Sequence, residues 1–376
     1  VFAAPVALGF LGGLILLLSF LHFLVPPIVK RAKEKIETNE HKNNPILVTV
    51  VNPKSAEKLA GLAANLSEQR SGSPLEIMAY VKKKSPLPDV VTRITDRNSR
   101  EQQILLQRIS NSLEERQLPF DTELLIADTI EDGILNKIEG KGDIQLLLVG
   151  WPGELDLNNE GKQTVNTLLG EAEVDLAVFL DRDFVGKPLR ILVPFGGGIH
   201  SRLALKLAMQ LAEHSDGEVV ALRCYCVDDK NGESFKDEVV TESDVDVDVA
   251  YDEPIEENEA MIDEMMQTRE SIQAELDSIP DSLHIKVVGA ESVKQATLRE
   301  LELSDYDLVA IGAALKHDRE EELFGDITTD VAQDVSTSVL IVRRFEPEAL
   351  KWFRRQVKEV VELIEEEKRK PDNQSG

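Results

Sequence analysis

The sequence predicts an α/β protein of two tandem domains, each an open five-stranded parallel sheet with helices on both faces, preceded by one transmembrane helix. Three observations predict it. The stretch RILVPFGGGIHSRLALKLAMQLA, residues 190–212, reads as a buried strand, a glycine turn (Gly196, Gly197, Gly198) and an amphipathic helix with Leu203, Leu207, Ala208 and Leu211 at helical spacing. From residue 45 to about 344, short apolar runs alternate with amphipathic stretches, which implies parallel strands joined by right-handed helical crossovers. The pattern also runs twice. Ile46-Leu47-Val48 recurs as Ile191-Leu192-Val193, and the same spacing pairs Ala63 with Ala208, Leu66 with Leu211 and Ile77 with Leu222.

Residues 1–29 carry no charged side chain, and their apolar run suffices for a bilayer-spanning helix of roughly 20 residues. Lys30, Arg31, Lys33 and Lys35 follow the run rather than precede it. That order argues against a secretory signal and, by the positive-inside rule, expects residues 30–376 on the cytoplasmic side of a cell membrane. Pro26 and Pro27 close the span, while Gly9, Gly12 and Gly13 offer a small-residue face to a neighbouring helix. The chain starts at Val1 without an initiator Met, so further membrane helices of the same protein are expected upstream. The expected partners are thus the lipid bilayer and those helices. Residues 30–44 read as a basic, polar linker.

The first domain is expected over 45–182. Strands are read at 46–51, 75–81, 123–127, 145–150 and 175–180, and helices at 55–67, 100–115 and 130–138, with 82–97 a loop because of its two prolines and mixed charge. The second domain is expected over 187–345, ending in a strand at 338–343. A longer spacing pairs Asp143 with Asp305, Leu147 with Val309, Gly150 with Gly312 and Val178 with Leu340, so the second copy carries an insertion, placed at 228–263. Asp244, Asp246, Asp248, Asp252, Glu253, Glu256, Glu257 and Glu259 make that insertion a self-repelling run, read as a solvated loop. It lacks the central glycine and spaced terminal Glu of an EF-hand. Residues 346–370 are expected to form an amphipathic helix with Leu350, Phe353, Val357, Val361 and Ile364 on one side.

Lys and Arg number 42 against 69 Asp and Glu, and the formal charge of -27 excludes nucleic acid as a partner. Cys224 and Cys226 are too few for a disulfide framework or a four-cysteine zinc site. His22, His41, His200, His214, His284 and His317 show no metal-binding spacing, and no G-x-S-x-G, P-loop or Cys-His signature appears. Neither an enzyme nor a metal site is expected. His200 beside Ser201 lacks the third member of a catalytic triad.

The fourth strand of each copy runs into a glycine-bearing loop, LLLVGWPGELDLNNEGKQT in the first and LVAIGAALKHDREEELFGDITT in the second. These resemble the phosphate loop of the universal stress protein family, Gly-x-x-Gly, a nine-residue gap, then Gly with Ser or Thr. In that pattern glycines let backbone N–H groups close on phosphates and the hydroxyl at a helix start joins them. The first copy keeps Gly150 and Gly153 but has Gln163 and Thr164 at the second half of the motif. The second has Gly312, then Leu315 in place of a glycine, then Gly325 followed by Asp326. A carboxylate about 4 Å from a phosphate charge costs roughly 4 kcal/mol at an effective dielectric near 20. Nucleotide-binding members of the family also end their first strand in Asp, where this chain has Val51-Asn52 and Phe195-Gly196. The candidate anion-binding residues are therefore Gly196, Gly197 and Gly198, with His200 and Ser201, and the degenerate loops at Gly150, Gly153, Gly312 and Gly325.

A transmembrane helix, basic residues and two such copies together resemble the cytoplasmic C-terminal region of transporters of the amino acid, polyamine and organocation superfamily. Within it, the resemblance is particularly to prokaryotic relatives of the cation-chloride cotransporters and to some amino acid permeases. The resemblance implies a regulatory and assembly domain that forms a homodimer through its cytosolic part, with no catalytic residues and no cofactor. The alternative it leaves is a membrane-anchored universal stress protein that binds ATP or AMP.

Overall fold

Strands covered on both faces read as continuous apolar runs rather than alternating ones, and so LLLVG at 146–150 and SVLIVR at 338–343 are buried along their whole length. The computed structural model describes residues 44–50, 53–69, 73–82, 90–141, 143–151, 160–184, 186–226, 239–241, 255–276, 278–313 and 326–347. The expected transmembrane helix, the linker up to residue 43, the C-terminal helix beyond 347 and most of the acidic insertion lie outside these residues. No helix among the described residues is long and apolar enough to cross a membrane.

The described strands are β1 (Ile46–Val50), β2 (Leu75–Lys82), β3 (Phe120–Ala127), β4 (Leu146–Gly150), β5 (Asp175–Leu180), β6 (Arg190–Pro194), β7 (Glu218–Cys226), β8 (Val239–Thr241), β9 (Leu283–Ala290), β10 (Leu308–Gly312) and β11 (Ser338–Arg343). The helices are α1 (Ala56–Gln69), α2 (Val90–Glu115), α3 (Ile130–Lys141), α4 (Glu160–Glu171), α5 (Ile199–Ser215), α6 (Ile255–Gln273), α7 (Val293–Leu303) and α8 (Asp326–Asp334).

The strands form one sheet in the order β3-β2-β1-β4-β5-β11-β10-β6-β7-β9-β8. Within the first copy β3-β2-β1-β4-β5 are parallel, and β9-β7-β6-β10-β11 repeat that order in the second. The two five-stranded sheets are joined edge to edge: β5 and β11 pair antiparallel, Val178 opposite Ile341 and Phe179 opposite Leu340. Since the repeat equates Val178 with Leu340, these two pairs exchange under a two-fold axis passing between them. The junction has a physical cause. DLAVFL and SVLIVR are buried on both faces, and left unpaired each would be an exposed apolar edge open to aggregation.

Helices cover both faces. Leu59, Leu62 and Leu66 of α1, Ile109 and Leu113 of α2, Leu203, Leu207 and Leu211 of α5, and Met261, Met265 and Ile272 of α6 share one core layer. Ile134 and Ile138 of α3, Val165 and Leu168 of α4, Ala296 of α7 and Val331 of α8 share the other. The first helices of the two copies, α1 and α5, pack against each other across the junction. Both helices bury several alanines, Ala56, Ala60 and Ala63 in α1 and Ala204, Ala208 and Ala212 in α5.

Three elements differ from the sequence reading. Helix α2 starts at Val90, inside the stretch read as a loop, because Pro86 and Pro88 lie ahead of the helix rather than within it. Helix α4 occupies 160–171, where the sequence pattern predicts no helix. The acidic insertion is structured in part. Val239–Thr241 adds β8 antiparallel to β9, and α6 begins at Ile255, with Met261, Met265, Thr268 and Ile272 buried at helical spacing. Asp263 and Glu270 are exposed on the other side of that helix, and the half-buried Glu264 pairs with Arg223 of β7.

Candidate functional site

Open parallel sheets bind ligands beyond the carboxyl ends of their strands, where the strand order reverses. In this chain that point lies between β1 and β4 in the first copy, and between β6 and β10 in the second.

In the second copy the turn after β6 is held by its own side chains. Gly197 has φ +72°, a conformation L side chains rarely adopt, whereas a Cβ on Gly196 or Gly198 would meet nothing within 4 Å. Gly198 is the N-cap of α5 and offers no side-chain cap. The Ser201 hydroxyl donates to the Gly198 carbonyl at 2.9 Å, and Arg202 Nε donates to the Gly197 carbonyl at 2.9 Å. The Arg202 Nη2 donates to Ser271 Oγ of α6 at 3.0 Å. Two further arginines tie α6 and the residues just after it to the same end of the sheet. Arg223 of β7 pairs with Glu264, and Arg344 Nη1 donates to Glu275 Oε1 at 3.0 Å. The Arg344 amide donates to His200 Nδ1 at 3.0 Å, which places the neutral imidazole's proton on Nε2.

Gly312, which sequence treats as part of a separate loop, is brought against this turn. A Cβ on it would stand 2.5 Å from the Ser201 amide nitrogen and 2.7 Å from the His200 carbonyl carbon. The first turn of α5 therefore rests directly on the end of β10. Thr328 of α8 donates its hydroxyl to the Gly312 carbonyl at 3.2 Å. Asp326 is the first residue of α8.

The first copy is arranged differently. A Cβ on Gly150 would lie at ordinary contact distance, 3.4 Å from Leu59 and 3.6 Å from Ser55. Thr164, the hydroxyl of the degenerate motif, is buried and donates to Glu131 Oε2 of α3 at 2.9 Å. A carboxylate thus already occupies the hydroxyl that a phosphate would use. Gly153, Gly325, Leu315, Val51 and Asn52 lie outside the described residues. Among the described residues no group of three or more His, Cys, Asp or Glu is placed to hold a metal ion.

Two polar clusters escaped the sequence reading. At the opposite end of the second copy, the buried Glu300 carboxylate accepts from Tyr306 Oη at 2.7 Å and from Lys286 Nζ at 2.6 Å. The Arg190 guanidinium lies 4.8 Å from the centre of the Tyr306 ring. Burial first, then the hydrogen bond and charge of Glu300, raise the Tyr306 phenol above the usual tyrosine range, with Arg190 opposing. The signal for this cluster was a carboxylate on the stripe Ala296, Thr297, Glu300 that α7 turns inward. The second cluster spans the junction reciprocally. Arg343 Nη2 donates to the Ala172 and Val174 carbonyls ahead of β5, at 2.6 and 3.0 Å. Arg182 in turn donates to the Thr337 carbonyl at 3.2 Å and to that of Ala332, ahead of β11. Burial pushes the Arg343 guanidinium down to about 10, against the pull of Asp175, and it stays charged at neutral pH.

Comparisons with known proteins agree with this architecture. Residues 189–343, the span of the second copy, match the universal stress protein family. The chain is similar to a universal stress protein of Archaeoglobus fulgidus DSM 4304, at 13% identity and TM-score 0.53, over 81% of this chain and 98% of that one. It is also similar to a putative universal stress protein of Pseudomonas aeruginosa UCBPP-PA14, at 13% identity and TM-score 0.45, over 82% and 95%. A third similar structure is the cytoplasmic domain of a prokaryotic cation chloride cotransporter, at 12% identity and TM-score 0.45, over 82% and 99%. The first of these establishes a shared fold. No curated protein matches the chain in sequence.

Proposed function

We propose that this chain is the cytosolic regulatory and assembly region of a membrane secondary transporter of the cation-chloride cotransporter or amino acid permease type, acting by docking and without catalysis. The observation that carries the reading is an arrangement in the sequence. An uncharged apolar run at 1–29 is followed by Lys30, Arg31, Lys33 and Lys35 and then by two copies of one α/β domain. The strand ends support a domain without a nucleotide. The Thr164 hydroxyl is engaged by Glu131, the first turn of α5 lies on Gly312, and Arg202, Arg223 and Arg344 are engaged by Ser271, Glu264 and Glu275. Removing residues 43–344 from the full protein should change transport turnover per assembled unit. Unchanged turnover with lost assembly would reduce the region to a passive oligomerisation tail.

One observation favours a membrane-anchored nucleotide-binding stress protein instead: α5 starts at a glycine with no side-chain cap, and an uncapped helix start attracts anions. Calorimetric titration of the full chain with ATP and with AMP separates the two. Our reading expects no binding heat, and tight binding abolished by Gly197→Ala would overturn it.

A further inference from the structure

We propose that the outer edge of the first copy, strand β3, is a self-association surface on which β3 of a second copy of this chain pairs antiparallel about a two-fold axis at Leu124. The two outer edges of the sheet are not equivalent. In the second copy β9 is covered by β8, whereas no described strand pairs with the outer side of β3 over its eight residues. The Leu75 amide donates to the Pro119 carbonyl at 2.9 Å. Odd-numbered residues of β3 therefore turn their backbone groups toward β2, and Phe120, Thr122, Leu124 and Ile126 turn theirs outward. Ile126 is 60% exposed, an apolar β-branched side chain at an open edge.

Charge and paired length together select the partner's register, because axes at Leu125 and Ile126 also keep carboxylates apart but pair only residues 123–127 and 125–127 of β3, against 121–127 about Leu124. Self-pairing must align outward-facing residues with one another, so the axis falls on a residue of β3. An axis at Thr122 would set Asp121 against Glu123, and an axis at Glu123 would set that carboxylate against its own copy; like charges directly opposite are unfavourable. With the axis at Leu124, Thr122 faces Ile126 of the second copy, Glu123 faces Leu125, Asp121 faces Ala127 and the two Leu124 residues meet. No carboxylate then faces another, and the exposed Ile126 gains a β-branched neighbour. Lys137 of α3 already pairs with Glu123, which lowers the charge of the edge. The fold uses the same chemistry twice internally, at the antiparallel β5–β11 and β8–β9 pairings. A second copy is thus the occupant this edge fits, and the proposal stands independently of any role in transport.

The test uses the full chain in detergent, with Cys224→Ser and Cys226→Ser to remove native thiols. In the proposed pairing the two Leu124 Cα atoms are about 5.5 Å apart, within disulfide reach, whereas the two Thr122 residues are displaced along the strands by roughly 13 Å. Mild oxidation should cross-link Leu124→Cys chains at least tenfold more than Thr122→Cys chains. Equal cross-linking of the two variants, or none in either, would overturn the proposal, even if the chain dimerises elsewhere. Leu124→Pro supplies an independent reading. It removes an outward N–H and leaves the β2 ladder intact, so it should abolish that cross-linking surface's contribution to the dimer by sedimentation while far-UV circular dichroism is retained. A folded Leu124→Pro chain with undiminished self-association would equally refute it.

Discussion

The end of β10 touches the start of α5 so closely that a Cβ on Gly312 would lie 2.5 Å from the amide nitrogen of Ser201. Both contacting atoms are backbone, and neither can rotate away as a side chain would. Gly312→Ala must displace α5, and overpacking of this kind costs about 1–3 kcal/mol. Gly150→Ala, at the corresponding place in the first copy, meets only side chains at ordinary contact distance, Leu59 at 3.4 Å and Ser55 at 3.6 Å, and should cost well under half as much. Chemical denaturation of the two variants checks the contrast.

The glycine turn makes a second contrast. Gly197 sits at φ +72°, so Gly197→Ala should lose about 1–2 kcal/mol from the left-handed conformation alone. Gly196→Ala has open space and ordinary backbone, and should lie within about 0.5 kcal/mol of the parent. Comparable losses in the two would mean that the turn relaxes.

Arg343 joins the copies through the Ala172 and Val174 carbonyls. Arg343→Ala strands two acceptors in a buried setting, and a loss of about 2–4 kcal/mol is expected. Arg182→Ala, whose guanidinium is less buried, should lose less. Thermal unfolding of each variant measures it.

The alkaline limb of stability should report Tyr306. Its phenol is raised by burial and by Glu300, so the folded state holds the proton after the unfolded chain has begun to release it near the ordinary value of about 10. The stabilisation is therefore complete below that pH and falls as pH rises through and beyond it. Tyr306→Phe should flatten this alkaline loss. At neutral pH it should cost about 1–3 kcal/mol, because Glu300 loses a donor. An unaltered alkaline limb would assign the loss to other groups.

Sequence made the sheet legible where burial is two-sided. Leu146-Leu147-Leu148 and Val339-Leu340-Ile341 have no polar alternation, and the repeat is visible because the same core positions recur in both copies. Helix α4 was missed because the phosphate-loop comparison treats 160–171 as the tail of a motif, and α6 because its carboxylates outnumber the four positions that meet the core. The site was less legible for a different reason. Gly312 and Ser201 are far apart in sequence and meet only when β10 pairs with β6. The Thr164–Glu131 bond likewise depends on α3 and α4 packing side by side. Arg343 ends an apolar strand and looks like an ordinary solvent-facing terminus until β5 is placed beside it.

Fusing both copies in one polypeptide changes the statistics of their encounter. Two separate domains pairing through their fifth strands would obey mass action and come apart on dilution. Here Leu180 and Arg190 bound a short tether, so the encounter is intramolecular, at an effective concentration on the order of millimolar. With β5 and β11 spent on each other, that edge is also closed to subunit exchange. Other polypeptides carrying the same domain, however abundant, cannot mix with this one there.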